Sequence, residues 1–484
     1  MQILIAIVLS LYFLVGTIIA WYSRKVGIKT AIDYYVAGYR LGGFLAAMTY
    51  AATTYSAFMM IGLVGFAYAT GVGAFGFEIL YLIATVFLLT LFSHRVWRLA
   101  RERKWVSPAE MLGDLYGSRI LAMTVSIIYL VALIPYAVAQ LVGLGNLMDG
   151  VGLGYVTGVV FGALIVFLWT YLAGIWSVAS TDTYQGLWMI VASMGFLGWL
   201  LLFMVSNNLT LDNAFAMLGR EGLLGLEGGF WSFSIFLAFT LPWVFFAVTN
   251  PQVVQRLYMP RDEKALRAMI IYFSVFGLLY TVLVTMIGLL ARSLSIAGVI
   301  PAIDNRDLVT PTLLLYTNPL LAAIVFTSIV AAAVSTLDSI ILTLASSASR
   351  DIYRYKEYKK TMTYTIIVLL VLVTMTIALL KPGFVVELSV LSSLMLLPLA
   401  PVTLIAWINP WLPKRLGLDR VALPAILSGF IIGFIAAIVY GPKKAFVTSI
   451  LGLPISVWVL IVSTLILFTP IIKSIWYTHV AGKA

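Results

Sequence analysis

The chain has 484 residues, of which 62% are hydrophobic and only 10% charged, with a net charge of +11 at pH 7. A soluble domain carries roughly a quarter charged residues and could not hide so much apolar surface, so an ordinary soluble fold is excluded. The positive excess lies in alternate loops rather than on one module, which points to a lipid bilayer and away from a nucleic-acid partner.

No cysteine is present, so disulfides and thiolate metal sites are excluded. The two histidines, His94 and His479, fall near segment ends, which leaves little room for histidine chemistry inside the membrane. Apolar runs of about 20 residues, the length that crosses the hydrocarbon core, recur throughout. They predict spans at 3–23, 43–68, 73–94, 120–147, 153–176, 182–205, 229–254, 266–291, 318–347, 361–380, 385–408, 421–440 and 454–476, numbered 1 to 13 below. The expected fold class is therefore an all-α polytopic membrane protein of about 13 transmembrane helices. Span 1 has no basic region ahead of it and reads as a retained helix rather than a cleaved signal.

Lysine and arginine set the orientation. One face receives Arg24, Lys25, Lys29 and Arg40 after span 1, and Arg95, Arg98, Arg101, Arg103, Lys104 and Arg119 after span 3. It also receives Arg256, Arg261, Lys264 and Arg267 after span 7, and Arg350, Arg354, Lys356, Lys359 and Lys360 after span 9. Lys414, Arg415 and Arg420 follow span 11, and Lys473 and Lys483 follow span 13. The other face has only Arg220, Arg292, Arg306, Lys381, Lys443 and Lys444. This asymmetry predicts an external N-terminus and a cytoplasmic C-terminus in the cell membrane.

By this count no basic residue lies within a span, whereas Glu78, Asp182 and Asp338 do, with Glu387 near the start of span 11. A carboxylate in hydrocarbon must be hydrated, neutralised or paired, and a bound ion or proton could be the partner. For Glu78 and Asp182, hydration near the interface is the plainer alternative. In span 9, Ala332, Ser335, Thr336 and Ser339 stand at i, i+3, i+4 and i+7 and share one helix face. Hydroxyl oxygens suit a hard cation, although the same stripe could simply pack, with its hydroxyls bonded to their own helix.

Span 2 contains Ala51-Ala52-Thr53-Thr54-Tyr55-Ser56, and span 7 contains Pro242 and Thr249-Asn250-Pro251-Gln252. Polar or proline breaks in corresponding spans point to a transporter binding site. Spans 2–6 and 7–11 form two units of five, and an odd number inverts the second. The expected organisation is 1–42 as a flanking helix and loop, 43–206 and 207–410 as the two five-helix repeats, and 411–484 as two further flanking helices.

These residues resemble the sodium:solute symporter family, whose members include sodium/proline, sodium/pantothenate and sodium/glucose carriers. Asp33-Tyr34-Tyr35-Val36-Ala37-Gly38-Tyr39-Arg40 is similar to its D-Y-F-x-A-G-R segment, and Thr181-Asp182 with Gln185 to its T-D-x-x-Q stretch. Most specifically, Ser335-Thr336-Leu337-Asp338-Ser339 and Arg350-Asp351-Ile352-Tyr353 resemble S-T-x-D-S and R-D-x-Y. The resemblance implies the inverted-repeat fold of a bacterial leucine transporter. It implies a sodium site made by backbone oxygens of Ala52, Tyr55 and Ala332 and hydroxyls of Ser335 and Thr336. It also implies a second ion or ion-exit site involving Asp182, Asp338 and Ser339. The proline carriers have Asp where Thr54 stands, and an aromatic gate position falls on Ala247, so no proline assignment follows.

The expected solute cavity is lined by Ser56, Glu78, Gln140, Trp243 and Phe246. For Gln140 an interhelical hydrogen bond, and for Trp243 simple packing, are the alternatives. The expected activity is sodium-coupled symport of a small organic solute (amino acid, carboxylate or sugar-like) into the cell by alternating access. Na+ is the co-transported ion and no enzymatic step is expected. Proton coupling through Asp182 or Asp338, or solute sensing without transport, are the rival readings.

Overall fold

The computed structural model describes residues 1–23, 30–226, 229–353 and 360–481. Arg24, Lys25, Lys29, Arg354, Lys356, Lys359 and Lys483 lie outside the described residues, as do the side chains of Lys360 and His479. Among the described residues, ten helices are long and apolar enough to cross a membrane. Two bent pairs, Gly43–Thr54 with Phe58–Thr70 and Val385–Leu396 with Leu399–Ile408, bring the candidates to twelve. The span expected at 153–176 falls on the shorter apolar helix Tyr155–Thr170.

The breaks have local causes. Span 2 stops at Tyr55, whose backbone is extended (φ −91°, ψ 97°), and bends by 49° before resuming. In span 7, Asn250 is also extended (φ −85°, ψ 116°) because Pro251 follows it. The proline ring excludes the helical region for the preceding residue. Span 11 bends by 58° next to Pro398, a break that the sequence reading does not anticipate. Spans 5 and 6 meet at Gly174 (φ 50°, ψ 178°), earlier than expected, a conformation open to glycine. Asp182 is thereby carried inward along span 6 and is fully buried, not hydrated at an interface.

Span 9, Pro319–Ile352, is the central post: 83% of its apolar window is buried, against 28% for the N-terminal helix. It packs against spans 1, 2, 5 and 6 and the second half of span 4. The chain between spans 8 and 9 covers the outer half of span 2. Ile303 N donates to the Tyr68 hydroxyl at 3.1 Å, and Thr310 bonds the Met60 carbonyl. Asp307 accepts from Val385 N at 3.0 Å, and Arg306 pairs with Glu387 between the rings of Phe66 and Phe384.

A Cβ on Gly65 would lie 2.1 Å from the Arg306 carbonyl oxygen, so the covering segment sits on bare backbone. Gly65→Val should destabilise the protein by about 1–3 kcal/mol through forced displacement. Thermal unfolding of the purified protein checks this, and an unchanged midpoint would refute the close packing.

Candidate ion and solute site

Breaking a helix at membrane depth releases backbone groups that lipid cannot satisfy. Several of the released groups near Tyr55 find specific partners. The Ala52 carbonyl accepts from Ser335 Oγ and Thr336 Oγ1, both at 3.0 Å. Thr336 Oγ1 also reaches the Thr53 carbonyl at 3.3 Å, and Ser335 Oγ reaches the Ala332 carbonyl at 3.0 Å. The Thr54 carbonyl accepts from the Tyr136 hydroxyl at 3.2 Å, and Ala57 N donates to Gln140 Oε1 at 3.1 Å. Four of the five expected ion ligands, Ala52, Ala332, Ser335 and Thr336, are thus gathered in one buried cluster. Tyr55 forms the turn beside them, and the contacts that gather the other four do not extend to its carbonyl. Hydroxyl and carbonyl oxygens, all with lone pairs, are what a hard monovalent cation requires.

A second polar cluster lies below the first on span 9. Ser339 Oγ stands 2.8 Å from Thr53 Oγ1 and accepts from Arg256 Nη2 at 2.7 Å. Thr49 Oγ1 donates to Asp182 Oδ2 at 2.6 Å, and Thr170 Oγ1 donates to Asp338 Oδ1 at 2.8 Å. Asp182 feels the charges of both Asp338 and Arg256. The three residues expected at a second site are therefore neighbours.

Arg256 corrects the sequence reading. It was placed in a cytoplasmic loop; it is fully buried at the end of Pro251–Arg256. The spans do contain a base, and Asp182 has a built-in counter-charge. Glu387 likewise has Arg306. A positive-inside count assigns any arginine at the end of an apolar run to the loop, and the signal that it stays inside was the polar run Asn250 to Arg256 continuing the span.

The expected solute residues also converge. Trp243 Nε1 donates to Glu78 Oε2 at 3.1 Å, and the Trp243 ring lies 5.2 Å from Phe246, 5.1 Å from Phe58 and 5.8 Å from Tyr81. Phe246 in turn meets Tyr81 and Tyr136 edge-on at 5.6 and 6.1 Å. Glu78 is buried, not hydrated near an interface. Gln140 spends both ends of its amide on the chain: Oε1 on Ala57 N, and Nε2 on the Tyr136 carbonyl at 3.1 Å. Ser56 Oγ accepts from Phe58 N at 3.1 Å. Gln140 and Ser56 therefore brace the break of span 2.

Arg256→Met should cost about 1–3 kcal/mol, because it removes the donor to Ser339 and the counter-charge that Asp182 feels. Adding Asp182→Asn should recover much of the loss. Thermal unfolding of both variants tests the pair, and additive losses would show that the two charges do not interact.

A family model described as the sodium:solute symporter family matches residues 34–407. The sodium/pantothenate symporter of Haemophilus influenzae is 26% identical over 398 residues, 78% of each chain. A sodium/proline symporter of Staphylococcus aureus is 25% identical over 370 residues, covering 72% of this chain and 68% of its own length. Among solved structures, a Na+-coupled sialic acid symporter in a substrate-bound outward-open state superposes with a TM-score of 0.78. That match has 18% identity and covers 96% of this chain and 97% of the other. The fold is therefore the inverted-repeat one of the bacterial leucine transporter, and this chain belongs to the sodium:solute symporter family.

Proposed function

We propose that the protein carries a small organic solute into the cell by alternating access, with sodium held between span 2 and span 9. The observation that carries the ion assignment is the convergence of Ser335 and Thr336 on the Ala52 carbonyl at the break. A cation there would be held by carbonyls of Ala52, Tyr55 and Ala332 and the two hydroxyls, which turn their protons outward. Because the ligands come from both five-helix repeats, occupancy favours one relative placement of the two. The solute binds beside the ion, among Glu78, Trp243 and Phe246. Coupling then requires only that ion and solute stabilise the same conformation, so that each raises the other's affinity.

Sodium leaves towards Asp182, Asp338 and Ser339, which form the second ion or exit site. The driving force is the sodium gradient plus about 2.3 kcal/mol per charge per 100 mV. The N-terminus is external and the C-terminus cytoplasmic, in the cell membrane. No step needs covalent chemistry. Proton coupling is the second reading, favoured by Asp338, whose only hydrogen-bond donor among the described residues is Thr170.

A ligand of the folded state raises stability by RT ln(1 + [L]/Kd). The unfolding midpoint of the purified protein should rise saturably with sodium when potassium replaces it at constant ionic strength. Ser335→Ala with Thr336→Ala should abolish the rise while leaving a cooperative transition. A flat wild-type response, with stability following pH instead, would transfer the assignment to a proton.

A further inference from the structure

We propose that the solute carries a protonated amine or a quaternary ammonium group, received by Glu78 within a box of Trp243, Tyr81, Tyr136 and Phe246. The inference rests on the reading of this region as the solute site and names the solute's chemical class.

Its first support is the distribution of counter-charges. Asp182 faces Arg256, Asp307 and Glu387 face Arg306, and Asp351 faces Arg350. Among the described residues Glu78 has no such neighbour. Its one hydrogen-bond donor among the described residues is the Trp243 indole, and its other oxygen, Oε1, has no hydrogen-bond partner there. A carboxylate offers about four lone-pair sites, so most of its capacity is unspent. With no base in reach, an anionic solute would meet repulsion and nothing to neutralise it.

The second support is what surrounds Glu78. Tyr55, Tyr81 and Tyr136 are close enough to feel its charge, and the rings of Trp243 and Phe246 close the box. Aromatic faces attract cations within about 6 Å of the ring, and the attraction grows when water is excluded. Of the polar groups nearby, those that brace the span 2 break are already engaged, whereas the hydroxyls of Tyr55 and Tyr81 have no hydrogen-bond partner among the described residues. Gln140 and Ser56 are bonded to the chain at the span 2 break, and the Tyr136 hydroxyl is bonded to the Thr54 carbonyl. A carboxylate without a counter-charge, set among aromatic rings, favours an ammonium group over an acid.

The box also spans a helix break. Trp243 lies in the last turn of the helix Phe233–Val244, Phe246 begins the next short helix, and Phe245 between them leaves the helical conformation (φ −92°, ψ 4°). Two walls of the box therefore stand on separate helical segments.

The test uses the purified full-length protein in saturating sodium, with thermal stabilisation as the readout. Tetramethylammonium, choline and L-proline are compared with glycerol, D-glucose and pyruvate. Ammonium compounds should give a saturable shift, and the first two against the third separate a pure cation from a zwitterion. Glu78→Gln should weaken the ammonium response about a hundredfold, as expected when a buried charge loses its partner. Glu78→Asp should retain part of it. Trp243→Leu, which removes a ring and leaves the carboxylate, should weaken it about tenfold. The sodium-induced shift of each variant reports whether it is folded. A larger saturable shift from glucose, glycerol or pyruvate, no shift from any ammonium compound, or an unchanged ammonium response in Glu78→Gln would each overturn the proposal. An ammonium response without a sodium response would sink the ion assignment alone.

Discussion

The structure depends on one constraint: backbone amides and carbonyls at membrane depth must be bonded within the protein. A continuous helix meets it automatically, and a broken one does not. At Tyr55 the chain breaks, and the partners come from span 9 and from span 4. Ser335 and Thr336 take the Ala52 carbonyl, Tyr136 takes that of Thr54, and Gln140 takes the Ala57 amide. These bonds hold the break in place. They also concentrate oxygen lone pairs in a small buried volume, which is what an ion site is. Hydroxyls suit this double role because they donate to a carbonyl in one rotamer and present a lone pair in another. Ala at both positions would leave the Ala52 carbonyl without these donors, so stability and the proposed ion affinity draw on the same atoms.

The contacts above and below the break explain how such a site can open to one side at a time. On one side of the break, Arg306, Asp307 and Thr310 tie the segment between spans 8 and 9 to spans 2 and 11. On the other, Arg350 bonds Glu110 at 2.6 Å and Ser107 bonds Asp351 at 2.5 Å, tying the short helix Pro108–Tyr116 to the end of span 9. Gln255 adds a bond to the Val106 carbonyl at 2.8 Å. Both sets are polar and lie between segments, not within one. Polar contacts of this kind exchange for water at small net cost, whereas an apolar seal would lose its whole burial energy. The post itself, span 9, is anchored by apolar packing along most of its length and has no comparable exchange available.

Much of this was legible in the chain. Twelve of the thirteen expected spans fall on a helix or bent pair long enough to cross a membrane, and the one at 153–176 falls on a shorter apolar helix. The hydroxyl face of span 9 was readable from its spacing, since i, i+3, i+4 and i+7 leave no choice of face. What escaped had physical reasons. The bend at Pro398 lies within a run of leucines, where apolar counting registers length and ignores a missing amide. The burial of Arg256 escaped because a hydropathy count sees its charge and not the Asp182 and Ser339 that receive it from other spans. For Gln140 the sequence leaves a solute contact and an interhelical hydrogen bond both open, since nothing in its own helix discloses that Ala57 needs an acceptor. In each case the missing information was a partner distant in sequence.

Counter-charge separates the buried carboxylates into two kinds. Those facing arginine, such as Asp182 and Glu387, have a counter-charge supplied by the chain. Glu78 and Asp338 have only an indole or a hydroxyl as donor. A carboxylate in an apolar interior needs a cation, and where the chain supplies none, it must arrive from outside. The two stand on different sides of the proposed ion position, Glu78 within the aromatic box and Asp338 within the second polar cluster on span 9. In the proposed mechanism the solute's charge is received at the first and a departing cation at the second, with the fixed Arg256 between Asp182 and Ser339 limiting how long that cation stays. A transporter needs sites that bind well enough to fill and weakly enough to empty. In the proposed mechanism Arg256 sets a positive charge beside the exit, whereas Arg306, on the other side of the break, is already paired with Glu387.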